Sequence, residues 1–275
     1  MAVRPRDGPE GAHGDEPGRY EHPEQSWASD LDAERELAQD NMRDVDVIAE
    51  GVRDAEPREI PGRLCGVAVE LLPVAAASVA LHTDGMPVRL SASSERAARL
   101  AEIQATLGDG PCQHAARAGV PVLACDLTTG RDVGRWPVFA QQATAAGVRA
   151  MYSIPLGNEA VCVGTLDLYR DTPGELTPRE LRTALMVANV MTVALMALPR
   201  GEEHGGRETE PWLSGLAKDQ DEVHQAVGMI MAQLGIGSDE ALARLRGHAF
   251  AQSRTALELA HDVVEHRTRF DRDGD

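Results

Sequence analysis

Four cysteines, Cys65, Cys112, Cys125 and Cys162, are the residues of this chain best suited to covalent or redox chemistry. No two stand at C-x-x-C spacing, which argues against a zinc site and a disulfide scaffold and fits a reducing compartment. Cys112 alone follows a Gly-Pro step at an expected helix start, a setting that lowers a thiol pKa and suits a redox sensor. Cys65 and Cys162 lie in apolar runs and read as small buried hydrophobes. Gly108-Asp109-Gly110, just ahead of Cys112, offers backbone N–H groups to an anion, although a plain turn is the simpler reading. His261 and His266 are five residues apart, the wrong step for two metal ligands on one helical face. No Ser/His/Asp order, phosphate-binding P-loop or metal-ligand pair occurs, so the expectation is no catalytic residue, no metal and no cofactor.

The other chemistry available is recognition of a polyanion by arginines. Arg244 and His248 are four apart, opposite an apolar stripe of Leu242, Leu245 and Ala249. Arg246 flanks that stripe and Arg254 sits just past the helix end, which makes a small cationic cluster for phosphates or bases. The plainer reading is a solvated helix face, with the methylenes of Arg246 covering the core edge. Gln225 and Met229 share the outward face of the preceding helix and extend the candidate surface. Bulk charge gives no help. The chain carries a net −17, distributed as −10 over residues 1–60, −3 over 61–212 and −4 over 213–275. Strong nonspecific binding to nucleic acid needs a positive field, so any contact must come from the local cluster.

The elements that must position these residues follow from pattern and punctuation. Residues 1–30 are too polar to form a core and read as a disordered acidic tail; residues 31–59 form a weak helical lead-in. Leu64–Leu72 reads as a helix, Ala76–Leu81 and Val88–Ala92 as strands turning at Thr83-Asp84-Gly85, and Glu95–Leu107 as a helix. Further strands are expected at Val120–Leu123, Ala150–Pro155 and Val161–Tyr169, with a bulge at Gly164, and a helix at Phe139–Ala146. Thr177-Pro178-Arg179-Glu180 is a capping box that opens a helix to Leu198. Ala184, Ala188, Met191 and Leu195 mark one face of that helix, and Val187, Val190 and Val193 make the opposite one apolar too. Such a helix needs cover on both sides, and the same helix of a second subunit supplies it most simply, so a homodimer through Thr177–Leu198 is expected. Residues 199–212 are a polar linker and 271–275 a tail. Between them lie three helices: one with a stripe of Val223, Val227, Ile230, Met231 and Leu234, one capped by Ser238, and one opened by the capping box Thr255-Ala256-Leu257-Glu258. No apolar run is expected to reach membrane-spanning length and no secretion signal opens the chain, so a cytoplasmic protein without membrane contact is expected.

These segments carry two resemblances. Residues 60–198 resemble a GAF domain of the actinobacterial kind, a small-molecule sensor with an antiparallel sheet flanked by helices. The residues that match are Leu107-Gly108-Asp109-Gly110-Pro111-Cys112, Arg135-Trp136-Pro137, Ala146-Gly147-Val148-Arg149-Ala150 and Gly164-Thr165-Leu166-Asp167-Leu168-Tyr169-Arg170. Residues 213–270 resemble an ANTAR domain, through Gln225-Ala226-Val227-Gly228-Met229-Ile230-Met231, Glu240-Ala241-Leu242-Ala243-Arg244-Leu245-Arg246 and Ala260-His261-Asp262-Val263-Val264. The fold class implied is α+β, a GAF domain followed by an all-α three-helix ANTAR domain. The function implied is transcription antitermination, in which paired RNA stem-loops are bound, usually by dimers, so that a terminator does not form.

In GAF domains ligands usually lie between the sheet and the glycine loop, which makes Cys112, His114, Trp136 and Tyr152 the pocket candidates, their ligand unnamed. One enzyme family of this fold reduces free methionine sulfoxide with cysteines, which needs a nucleophilic thiolate and a resolving thiol within reach, and Cys112 alone has a setting that lowers a thiol pKa. The family's first ANTAR helix often has a lysine after Gln-Ala, where this chain has Val227. That departure and the acidic charge support an alternative, a dimeric protein-interaction regulator with a vestigial GAF pocket and no RNA binding.

Overall fold

The structure is a computed structural model that describes residues 23–83, 86–158, 161–197 and 211–271. Two units separate in it, residues 1–42 and residues 43–275. Helix α1 runs Pro23–Val52, so the end of the segment expected to be a disordered tail is helical, and the rest of that tail lies outside the described residues. The expected turn at Asp84-Gly85 and most of the expected linker also lie outside them, Pro211 and Trp212 of the linker already belonging to a helix.

In the second unit, helix α2 (Ile60–Leu71) leads into strands β1 (Ala76–Thr83) and β2 (Met86–Ala92), then helices α3 (Glu95–Leu107) and α4 (Pro111–Ala118). Strand β3 (Val122–Ala124), helices α5 (Gly130–Arg135) and α6 (Pro137–Ala145), and strands β4 (Ala150–Asn158) and β5 (Val161–Arg170) follow. Ser94 caps α3 by accepting from the Ala97 N–H, and α3 ends at Gly108 with φ +66°. The five strands form one sheet in the order β2-β1-β5-β4-β3, with every neighbouring pair antiparallel. The irregularity in the β4–β5 pairing lies beside Gly164, as expected: Leu156 pairs with Gly164 and Gly157 with Cys162, so Val163 is the extra residue on β5. On its other edge Gly164 pairs with Leu81 of β1, where a Cβ would come within 2.3 Å of the Ala80 carbonyl oxygen. The glycine therefore stands at the edge of the bulge and also allows the close approach of β1.

Alternation along the strands divides the interior into two cores. Leu166, Leu168, Tyr152 and Ile154 face a layer made by α2 and by helix α7 (Pro178–Ala197). Ile48 from the C-terminal part of α1 joins this layer, and Asp44 accepts a 2.6 Å hydrogen bond from the Thr183 hydroxyl. Met151 and Tyr169, one residue out of phase, face the other way onto α3 to α6, where Leu100, Cys112, Trp136 and Phe139 are buried. The Thr177/Glu180 capping box forms: the Thr177 N–H donates to Glu180 Oε2 at 2.7 Å and the Glu180 N–H to Thr177 Oγ1 at 3.2 Å.

Helix α7 is long and apolar enough to cross a membrane by length and composition, contrary to the expectation that no run would be. It packs on α2 and β4 through Ala184, Val187, Ala188 and Met191, as the core helix of a folded domain does. Its outer face leaves Leu185, Val193 and Met196 exposed, Val193 at 68%.

Helices α8 (Pro211–Leu234), α9 (Ser238–Ala251) and α10 (Ala256–Val264) complete the chain. Their shared core is built from Val223, Ala226, Ile230, Ala241, Leu245, Ala249, Leu259 and Val263. Ala226 and Ala241 therefore occupy core positions that the sequence pattern assigned to larger neighbours, Ala249 is buried as expected, and Val227 and Leu242 are only half-buried flanks. Gly237, not Ser238, is the N-cap of α9, and it provides no side-chain acceptor. The Thr255/Glu258 capping box of α10 is complete in both directions.

Candidate functional site

The six residues expected to form one recognition surface do not share a face. Gln225 on α8 and Arg244 on α9 are exposed, the latter only loosely tied to Glu240 at 3.5 Å. Met229 is half-buried against the three-helix core, so it is less available than its helical position suggested. His248 packs on Phe270 with ring centroids 5.1 Å apart, and its Nε2 is 2.8 Å from Gln252 Nε2. Arg254 is held in place: its guanidinium pairs with Asp262 at 2.7 Å and donates to the Glu258 carbonyl at 3.1 Å. Asp262 is kept below the usual carboxylate range by hydrogen bonds from Arg254 and Arg267.

Arg246 turns away from solvent and toward the sheet domain. Its guanidinium rests over Gly108, at the C-terminal end of α3, where a Cβ would come within 2.5 Å of Nη1. The carbonyl end of a helix is where a cation is favoured, so the placement has a physical basis in the helix dipole. Burial, with a smaller contribution from Arg117, lowers the Arg246 pKa. Beside it, the Ala256 N–H at the start of α10 donates a buried 3.1 Å hydrogen bond to Thr106 Oγ1 on α3. Met86 of β2 packs against the three-helix core. Helices α8 to α10 are thus docked on α3 and β2, a seam that no local pattern indicated.

The four pocket candidates are divided by the sheet. Tyr152 lies fully buried in the α2/α7 core, its hydroxyl donating to the Gly174 carbonyl at 2.6 Å. Cys112 and Trp136 are buried in the other core, so these residues do not line a common cavity. Trp136 Nε1–H donates to His114 Nδ1 at 3.0 Å, and the same nitrogen lies 3.2 Å from the Gly110 carbonyl oxygen. The Cys112 thiol is pushed well above its ordinary pKa, first by burial and then by the nearby Asp167 carboxyl, the reverse of the lowering expected at a helix start. Cys65 is also buried and pushed up to about 12, whereas Cys162 is half-exposed rather than buried. The Cys112 N–H that an anion would use is taken by Gln104 Oε1 at 3.1 Å, so the glycine loop serves as a turn.

Asp167 was missed as a site residue. It lies fully buried on the α3–α4 side of β5, where Gln104 Nε2 donates to its Oδ2 at 3.4 Å. Its Oδ1, Ser153 Oγ and Gln113 Nε2 are buried without hydrogen-bond partners. Burial raises the carboxyl pKa to about 7, which the hydrogen bond from Gln104 offsets only in part. The signal in the sequence was an acid inside an otherwise apolar strand, in phase with Thr165 and Tyr169 on one face.

Comparison with known proteins places this architecture. Residues 54–196 match the GAF domain and residues 215–264 match the ANTAR domain. The chain belongs to the GAF domain family, its GAF match spanning more than half of its length, and carries an ANTAR domain after it. At the family level that pairing is a sensor-regulated, RNA-binding regulator of transcription antitermination, and both domains are regulatory in type. No match was found among curated proteins.

Among solved structures, the chain is similar to the GAF domain of a phosphoenolpyruvate-protein phosphotransferase from Coxiella burnetii. The two are 13% identical over 58% of this chain and 94% of that one, with a TM-score of 0.45. It is also similar to a free methionine-R-sulfoxide reductase from Neisseria meningitidis, at 13% identity over 59% of this chain and 91% of that one, with a TM-score of 0.44. Likeness at this level carries nothing about the chemistry of this chain.

Proposed function

We propose that this protein is a cytoplasmic regulator that binds RNA stem-loops through its ANTAR domain, under control of the GAF domain to which that domain is docked. The observation that carries the reading is the division of the cations. Arg244 and Gln225 face solvent, where a paired RNA with exposed loop bases is within reach, while Arg246 is held over Gly108 by the sensor. A stimulus that loosens the seam would return Arg246 to the recognition face. His248 and Arg254 act in this scheme as positioning residues, since both are already engaged within the domain.

The test is binding of the full chain to hairpin RNAs recovered by crosslinking from its own cells. The double variant Arg244→Ala, Gln225→Ala should lower affinity about tenfold and flatten the dependence on salt, as loss of a phosphate-contacting cation requires. Both positions are exposed, so the fold should be unaffected. Recovery of RNA no better than an uncrosslinked control would favour the protein-interaction alternative, which the half-buried Val227 and the acidic charge already support.

Dimerisation belongs to the same proposal. Leu185, Val193 and Met196 form an exposed apolar face on α7, the surface a second copy would cover. Light scattering should give a dimer for the native chain and a monomer for Val193→Asp. A native monomer would remove the dimer from the scheme.

A further inference from the structure

A cavity of about 250 Å³ lies within the seam between the two domains, walled on one side by β2 and α3 and on the other by α8 and α10. Val88, Ala101 and Ala105 form the GAF wall, and Val223 and Leu257 the ANTAR wall. The floor is thus aliphatic on both sides.

The charged groups of the rim are mostly acids: Glu102, Asp219 and Glu258 against Arg89. Two of these acids are already engaged. Glu102 pairs with Arg89 at 3.1 Å, and Glu258 Oε2 accepts the Thr255 N–H at 2.9 Å in the α10 capping box. Asp219 is half-buried and takes part in no hydrogen bond or ion pair among the described residues. Burial and the neighbouring Glu222 raise its pKa, which Lys218 and Arg89 offset only partly. A carboxylate in that position favours a cation arriving at the rim.

We propose that this cavity is a ligand site for a small organic monoamine, its apolar body between Ala105 and Leu257 and its ammonium at Asp219. An anion of the same shape would meet three carboxylates and a single arginine already paired. Because the walls come from both domains, an occupant contacts both and acts directly on the seam that holds Arg246 and the Thr106–Ala256 hydrogen bond. The GAF interior needs no part in this, since Cys112, Trp136 and Tyr169 fill it. The site supplies the stimulus in the regulatory reading above, but its occupancy is measured without RNA, so either can fail alone.

The experiment is isothermal titration calorimetry of the full chain with phenethylamine, isopentylamine and tryptamine as probes and phenylacetate as the anionic counterpart. One-site, saturable binding of at least one amine is expected, with phenylacetate at least about tenfold weaker. Asp219→Asn should weaken the amine about tenfold or more. Ala105→Leu, which fills the cavity from the α3 side, should abolish binding, and circular dichroism checks that both variants remain folded. If Ala105→Leu does not fold, Asp219→Asn alone decides. Absence of saturable binding for all three amines up to about 10 mM overturns the proposal. Binding unchanged in Asp219→Asn, or equal for phenylacetate, overturns it as well.

Discussion

Replacing Asp167 with asparagine should raise the melting temperature by roughly 10 °C at pH 8 and by little near pH 4. The carboxyl is fully buried, and burial lifts its pKa from the ordinary carboxylate range to about 7. The folded protein therefore keeps a proton that the unfolded chain has already released. Stability from this group is complete below pH 4, falls as pH rises from about 4 to about 7, and is level above that. A shift of this size corresponds to about 4 kcal/mol lost at pH 8, taken as an order of magnitude.

The surroundings give the charge little relief. Among the described residues no cation pairs with Asp167, and the nearby thiols of Cys65 and Cys112 and the Tyr169 phenol are themselves raised, hence neutral at pH 7. Asparagine keeps the shape and an acceptor for Gln104 while removing the charge. Thermal melts of both proteins at pH 4, 6 and 8 measure the effect. Parallel curves with no growing difference would show that Asp167 is already solvated or paired in solution.

Trp136→Ala should cost about 3–5 kcal/mol, the largest loss expected from a single truncation in this chain. The indole is 0% exposed and packs in the core shared by α3 to α6 with Phe139, Leu127 and Cys112. Three further contacts are lost with it. Its Nε1–H no longer donates to His114 Nδ1 at 3.0 Å, the edge-on ring contact to His114 goes, and Arg135, 4.3 Å from the ring centroid, loses its aromatic face. Trp136→Phe keeps most of the volume and should cost about 1–2 kcal/mol, chiefly the lost hydrogen bond to His114 and the smaller ring. Urea unfolding midpoints separate the two variants. A loss below about 1 kcal/mol for Trp136→Ala would mean that α5 and α6 are not tied to the folding of the sheet.

Local chemistry carried much of this fold in readable form. Both capping boxes, Thr177/Glu180 and Thr255/Glu258, form as the spacing requires, because their bonds are made within four residues. The apolar period of α7 likewise identified Ala184, Ala188, Met191 and Leu195 of its buried face, although Val187, assigned to the opposite face, is buried beside them. Small residues were harder to place. Ala226, Ala241 and Ala260 are core positions that hydrophobic weighting passes over in favour of Val227 and Leu242, although an alanine is what lets two helices approach closely. Glycine was legible in part: the bulge beside Gly164 was readable from the strand pattern, whereas its close approach to the Ala80 carbonyl depends on a strand remote in the chain.

The candidate sites were the least legible, because each depends on partners distant in the chain. A sequence shows that Arg246 is cationic and flanks a stripe, but not that the end of α3 lies opposite to receive it. Tyr152 and Trp136 looked like neighbours until the sheet placed them on opposite sides, which strand alternation decides only when the register is known. The residue types, the helix ends and the two-domain order were therefore set by the sequence itself. The burial of Asp167, the docking of α10 on Thr106 and the cavity beside it were decided by tertiary packing, where desolvation and contact between remote segments act together.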